Sequence, residues 1–450
     1  MIRDVAIVGA GFSGALQAIN LLRHGGPRAT LIERRPEAGR GVAYAAAHPS
    51  HLLNVRAGNM SALPDDPGHF VRWAEARGHG GAGSFVPRIV YGAYLAELLD
   101  EAVAAAPERV RIVRGDAVDV TADASGGSVL LADGERIAAD AVVLALGNLP
   151  PHPPAGLDPA TLGPDLYAAD PWAAGVADGL ADEDVVLVIG TGLTMVDVAL
   201  LLNARGFGGR ILAVSRRGLR PRGHQPGAPV STALAERPSI AASALVAEVR
   251  ARAEAVGWHA AVDELRPYTR GMWLAAPAEQ KARFLRHLRP WWDVHRHRLA
   301  PAVADRIAAM EAAGRLAFAA GRTTGFVADG DGVRVTWRPR GSDAAETIRV
   351  RRVVNCSGPQ IDLARTAEPM LRRMTARGAI RPDANAIGLD VDAQARVIRA
   401  DSTPHERLFA LGPLTRGTFW EIVAVPDIRV QTWDLARRLA NAQWVGGEGL

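Results

Sequence analysis

The sequence predicts a mixed α/β protein in which two parallel βαβ units lie on one chain. Three observations carry that prediction. A β-branched run, VAIV at 5–8, breaks into GAGFSG and resumes with apolar residues at helical spacing. The same outline returns in VVLVIGTGLTMVD at 185–197. A chain of 450 residues also exceeds one ordinary core, so two domains, in as many as three segments, are expected.

Composition narrows the class. Hydrophobic residues make up 48% and charged residues 22%, the balance of a globular chain. The net charge is only +4, Lys281 is the sole lysine, and no long block of like charge occurs, which argues against a nucleic-acid partner. Cys356 is the single cysteine, so neither a disulfide framework nor a cysteine-rich metal site is expected. The first strand and its glycine turn occupy the place where a signal peptide's apolar stretch would stand, and no apolar run reaches spanning length. A cytoplasmic protein without a membrane partner is the expectation.

In the first loop Gly9, Gly11 and Gly14 complete G-x-G-x-x-G between a strand and a helix. The first glycine permits the tight turn, the second lets backbone approach a pyrophosphate, and the third lets helix and strand pack closely. The helix N-terminus then offers its amides to the phosphates. A second strand, ATLIE, ends at Glu33, roughly 20 residues on, where a carboxylate accepts from ribose hydroxyls. Strand, triplet, helix, strand and terminal acid in that order read as a dinucleotide site for FAD or NAD.

The second loop differs. Gly190 and Gly192 keep the pattern, Thr194 opens the helix, and Met195 stands where the third glycine would be. The following strand, RILAVS, ends in Ser215, Arg216 and Arg217 in place of an acid. Guanidinium groups hold a 2′-phosphate by bidentate, charge-assisted bonds, whereas a carboxylate repels it. This loop therefore reads as an NADPH site, with NADH the alternative. Two nucleotide sites of different preference imply hydride transfer from a nicotinamide to a flavin.

The rest of the chain organises around these loops. Seven prolines in 148–183 suggest a linker, a helical stretch runs from about 239 to 314, and strand character returns after 314. The expected architecture is two Rossmann-like dinucleotide-binding domains, the FAD domain discontinuous and the NADP domain inserted with a helical elaboration. Its expected boundaries are 1–165 and 336–450 for the FAD domain and 166–335 for the inserted domain.

GAGFSG, GVAYAAAHPSHLLNVRAGNMSALP, RIVYGAYL, GTGLTMVD, FLRHLRPWWDVHRHRLAP, VNCSGP and LGPLTRGTFWEIVAVPDIRVQ together resemble the bacterial FAD/NAD(P)-binding proteins of the YdhS-like family. That family lies within the two-dinucleotide flavoproteins, which include flavin-dependent N-hydroxylating monooxygenases. The resemblance implies that Asn54, Val55 and Met60 lie near the isoalloxazine, Val118 by the adenine and Gly147 by the diphosphate. It implies that Gly412 begins the C-terminal FAD turn, where Pro413 replaces the aspartate of many relatives. The Baeyer–Villiger run before the second loop is missing, since LYAADPWAAG at 166–175 has Trp172 but no histidine.

Among the remaining candidates, Cys356 ends an apolar strand and has no second thiol, which leaves a structural role. Asp293, His295 and His297 invite a metal reading, but i and i+2 on a helix face different sides, and no metal is expected. The polar cluster of His48, His51, Asn54, Arg56 and Asn59 follows the first unit, and His51 and Arg56 are candidates for the substrate side. Trp420 and Glu421 in the last turn are the others. No catalytic residue stands out. The function expected is an FAD-dependent oxidoreductase using NADPH, transferring one atom of O2 to a small nucleophilic substrate such as an amine or amino acid. The alternatives are an NAD(P)H-dependent reductase or dehydrogenase without oxygen insertion, or a non-catalytic nucleotide-binding subunit. Nothing in the sequence indicates an oligomeric state.

Overall fold

A computed structural model describes residues 2–45, 48–225, 234 and 236–441. The end of the Gly/Pro-rich turn that follows Arg217 lies outside the described residues. The chain forms two compact units: Met1–Ala45, Arg56–Leu149 and Ile361–Leu450 make the first, Ala46–Val55 and Pro150–Gln360 the second.

The first unit is built on a six-stranded sheet. In spatial order its strands are Arg396–Ile398, Pro404–Ala410, Ala141–Leu144, Asp4–Val8, Arg28–Glu33 and Val110–Arg114. Asp4–Val8 pairs in parallel with Arg28–Glu33 on one side and Ala141–Leu144 on the other. Such a strand must be apolar on both faces, and Ala6, Ile7, Val142 and Leu144 are completely buried. The chain reverses direction across the sheet at this strand, and in open parallel sheets ligands bind at the C-terminal edge of that crossing. Helix Phe12–Arg23 packs on the final helix Val425–Leu439, where Asn20 Nδ2 donates to Thr432 Oγ1 at 3.1 Å inside the contact.

The second unit repeats the plan. Its seven-stranded sheet runs Glu346–Val350, Gly332–Pro339, Leu316–Asp329, Arg210–Ser215, Val185–Ile189, Arg352–Asn355, Tyr167–Ala168. Val185–Ile189 again lies between its sequence successor and a strand from much later in the chain. The helical elaboration occupies Ala242–Val256 through Pro301–Ala312.

The units divide at different places from 165 and 335. The proline-rich stretch after 148 is no free linker: Tyr167–Ala168 adds an edge strand to the second sheet. Asn355 Nδ2 donates to the His152 carbonyl at 3.0 Å and to Tyr167 Oη at 3.1 Å. The buried Arg352 guanidinium donates to the carbonyls of Asp165, Val176 and Asp178. The strands at 332–355 also stay in the second unit. Leu316–Asp329 is long enough to pair in parallel with Arg210–Ser215 by its first half and antiparallel with Gly332–Pro339 by its second.

Candidate dinucleotide sites

In the first loop each glycine has a distinct steric reason. Gly9 has φ +97°, and a Cβ there would lie 2.5 Å from the Ala145 carbonyl oxygen. A Cβ on Gly14 would lie 1.8 Å from the Gly9 carbonyl oxygen, so the helix sits directly on the turn. Gly11 is the N-cap of Phe12–Arg23 and makes no side-chain capping bond. The first-turn amides are thus left for an external acceptor, as a pyrophosphate provides.

Glu33 is 8% exposed. Its Oε2 accepts from the Ala10 amide at 2.8 Å and its Oε1 from the Arg35 amide at 2.9 Å. The carboxylate therefore braces the loop and retains lone pairs for ribose hydroxyls. Replacing Glu33 by alanine removes both charge-assisted bonds, each worth about 1.5–3 kcal/mol. We expect at least about tenfold weaker FAD retention, measured by fluorimetric titration of the apoprotein.

The second loop matches the first atom for atom at its turn. Gly190 has φ +112°, and its Cβ would lie 2.2 Å from the Cys356 carbonyl oxygen, as that of Gly9 would meet Ala145. The Ala145 amide donates to the Val8 carbonyl and the Cys356 amide to the Ile189 carbonyl, both at 2.8 Å. Cys356 is therefore the counterpart of Ala145, a position whose backbone closes the turn. Its thiol is 4% exposed, and burial pushes it well above the ordinary thiol range. A maleimide reagent at neutral pH should leave the native protein unlabelled and modify it only after denaturation; fast native labelling would contradict the buried position.

Gly192 caps Leu193–Ala204 without a side-chain bond, and nothing lies within 4 Å of where its Cβ would be. Thr194 sits half-buried in the first helical turn. Met195 is completely buried at the third-glycine position, so this helix stands further off its turn than the first helix does. Ser215 Oγ lies 2.9 Å from Thr191 Oγ1 and accepts from the Gly218 amide at 3.0 Å. Ser215 thus braces its loop by hydroxyls as Glu33 does by carboxylate. Arg216 is exposed and Arg217 half-buried, with Arg217 Nη2 donating to the Arg286 carbonyl at 3.3 Å.

The structure separates some residues grouped in the sequence. His48, His51, Asn54 and Val55 belong to the second unit, whereas Arg56, Asn59 and Met60 belong to the first. His51 is 1% exposed; its Nδ1 accepts from the His48 amide at 3.1 Å, so Nε2 carries the proton that it gives to the Asp197 carbonyl at 2.9 Å. Nε2 thus fastens this segment to helix Leu193–Ala204, while Nδ1 holds the His48 amide within the segment itself. The Asn54 carbonyl accepts from His224 Nε2 at 3.0 Å. Arg56 lies over the Phe85 ring, 5.8 Å from its centroid, and Met60 is buried.

Val118 lies in strand Ala117–Ala122 of a three-stranded antiparallel sheet completed by Gly127–Leu131 and Arg136–Ala139, its carbonyl accepting from Arg373 Nη1 at 3.4 Å. Gly412 has φ +72°, and its Cβ would lie 2.5 Å from Ser13 Oγ, which brings the C-terminal turn against the start of the first helix. Its amide donates to Gln431 Oε1 at 2.8 Å. Trp420 and Glu421 are each 3% exposed. Among the described residues no group of three metal-ligating side chains occurs. His297 Nε2 instead lies 3.9 Å from Asp293 Oδ1, one helical turn back.

Two residues escaped the sequence reading. Gly358 (φ +92°) is the counterpart of Gly147 (φ +67°): each stands two residues after the position that closes its turn, with open space where a Cβ would point. The parallel between LALG at 144–147 and NCSG at 355–358 was its signal. Arg416, with its guanidinium 4.3 Å from the Trp420 ring centroid, is 8% exposed, and no local motif marks it.

Comparison with known proteins agrees with this geometry. Residues 6–149 match the family described as FAD-NAD(P)-binding. An L-aspartate N-monooxygenase (nitrosuccinate-forming) of Streptomyces cremeus is 42% identical over 170 residues. That match takes in 34% of this chain and only 24% of the relative's length. The ornithine N-hydroxylase of Kutzneria sp. 744 superposes with a TM-score of 0.67 at 14% identity, covering 98% of this chain and 100% of that one. The L-lysine 6-monooxygenase of Pseudomonas syringae superposes at 0.69 and 16%, covering 98% and 99%. The chain therefore carries an FAD-NAD(P)-binding domain and has the two-dinucleotide-domain fold of the flavin-dependent N-hydroxylating monooxygenases.

Proposed function

We propose that this protein is an FAD- and NADPH-dependent N-monooxygenase acting on a small amine or amino acid. The observation that carries the reading is the pair of alike-built loops with opposite chemistry at their strand ends, Glu33 on one and Arg216 with Arg217 on the other. Gly9, Gly11, Gly14, Glu33, Gly147 and Gly412 would hold FAD, and Gly190, Gly192, Thr194, Arg216 and Arg217 would hold NADPH. Asn54, Val55 and Met60 would border the isoalloxazine, and Val118 the adenine. Bound FAD accepts hydride from NADPH and activates O2. The balanced reaction is R-NH2 + O2 + NADPH + H+ → R-NHOH + H2O + NADP+. The protein's part is to orient both nucleotides and to keep water from the reacting centre.

The partial match to an L-aspartate N-monooxygenase makes an amino acid the first substrate to test. The buried Arg416, Trp420 and Glu421 are the polar and aromatic residues of the C-terminal turn best suited to line that substrate's site. Purified protein loaded with FAD is incubated with NADPH, O2 and a panel of amines and amino acids headed by L-aspartate, and products are read by mass spectrometry. A substrate-dependent product carrying one added oxygen supports the reading. NADPH consumption yielding only hydrogen peroxide with every amine would favour a reductase; no reduction of the flavin by NADPH would overturn the two-nucleotide mechanism.

A further inference from the structure

The second unit contains a cleft of about 620 Å³ lined by Arg216, Arg217, Arg286, Arg322, Arg338 and Arg340, with Asp343 as its one carboxylate. Among the described residues none of these six guanidiniums has a carboxylate within ion-pair distance. Arg28 and Arg334, by contrast, are ion-paired with Asp4 and Asp329. The clustering follows from strand register. Ser215 lies opposite Ala320, so Arg216 follows directly beside Gly321 and Arg322. Arg322 lies opposite Arg338 on the neighbouring antiparallel strand, and the Arg340 amide extends the ladder to the Ala320 carbonyl at 2.8 Å. Like charges directly opposite across strands repel, and here Asp343, which makes no ion pair with them, is the one lining carboxylate to offset six guanidiniums.

A 2′-phosphate brings at most two negative charges, which Arg216 and Arg217 already match. Four guanidiniums remain. Three adjacent strands about 4.8 Å apart set the row over on the order of 10 Å, the length of a chain of three phosphates and well beyond one. Guanidinium pairs phosphate oxygens in bidentate fashion, so a row of them suits a linear polyanion. We propose that this cleft binds a polyphosphate chain, free or carried on a nucleoside, and that its binding excludes NADPH because the two share Arg216 and Arg217. The site would thus make the enzyme responsive to polyphosphorylated metabolites. The exclusion rests on the NADPH assignment above; the polyphosphate site does not.

The test is isothermal titration of the FAD-loaded full chain with tripolyphosphate, ATP, orthophosphate and, separately, NADPH. The comparison variant combines Arg322→Ser, Arg338→Ser and Arg340→Ser, all exposed positions whose change relieves repulsion. We expect tripolyphosphate to bind at least tenfold tighter than orthophosphate, to weaken with added salt, to lose at least tenfold in the variant, and to displace NADPH. ATP binding as tightly as tripolyphosphate would identify a nucleoside-borne ligand, and tripolyphosphate alone a free chain. Equal affinity of wild type and variant for tripolyphosphate, or no binding, would overturn the proposal. In that event intact NADPH binding would leave the two-nucleotide reading standing, whereas loss of NADPH binding alone would refute that reading and spare the polyphosphate site.

Discussion

Exchanging Gly14 for methionine, the residue its counterpart carries at Met195, is expected to give a protein that cannot retain FAD. The Cβ alone would lie 1.8 Å from the Gly9 carbonyl oxygen. That atom belongs to backbone held by the Gly9 amide's bond to Ile32 at 2.8 Å, so it cannot rotate away as a side chain would. An ordinary overpacked core costs about 1–3 kcal/mol; a collision with the turn itself should exceed that and lift the helix N-terminus off the pyrophosphate position. The reciprocal change, Met195→Gly, removes a fully buried side chain and places glycine in a helix. It should cost roughly 3–5 kcal/mol while leaving FAD binding intact. Flavin absorbance of the purified variants and urea unfolding read the two effects. A yellow, normally stable G14M protein would show that the first helix is free to stand off as the second does.

Replacing Arg216 and Arg217 together by alanine should raise the KM for NADPH roughly tenfold to hundredfold and change that for NADH by less than about twofold. Each guanidinium–phosphate bond is worth about 1.5–3 kcal/mol in shielded surroundings, and solvent at these positions reduces that value. The ratio of the two KM changes is the informative quantity. A parallel loss for NADPH and NADH would mean that the arginines support the loop, as the Arg217 bond to the Arg286 carbonyl permits. A selective loss would tie them to the 2′-phosphate.

Much of the fold is local and was legible as such. The turn glycines follow from sterics within a few residues, and a strand buried on both faces must read as an apolar run, as VAIV and VVLVI do. The identity of the two loops and the contrast between Glu33 and Arg216–Arg217 therefore came from sequence alone. What the sequence left undetermined depends on partners far along the chain. The unit boundaries moved because Tyr167 and Asn355, and Leu316–Asp329 with both its neighbours, meet only through strand pairing.

The surroundings of His51 were hidden for the same reason, since its Nε2 partner is the carbonyl of Asp197, 146 positions away. The arginine cleft is the clearest case, since Arg216, Arg286 and Arg338 share no motif and are gathered by register and helix packing. Spacing along one strand or one helical turn reveals residues whose geometry is set by neighbouring bonds. Charge clusters, braces and domain edges arise from long-range pairing, and there the tertiary structure decided.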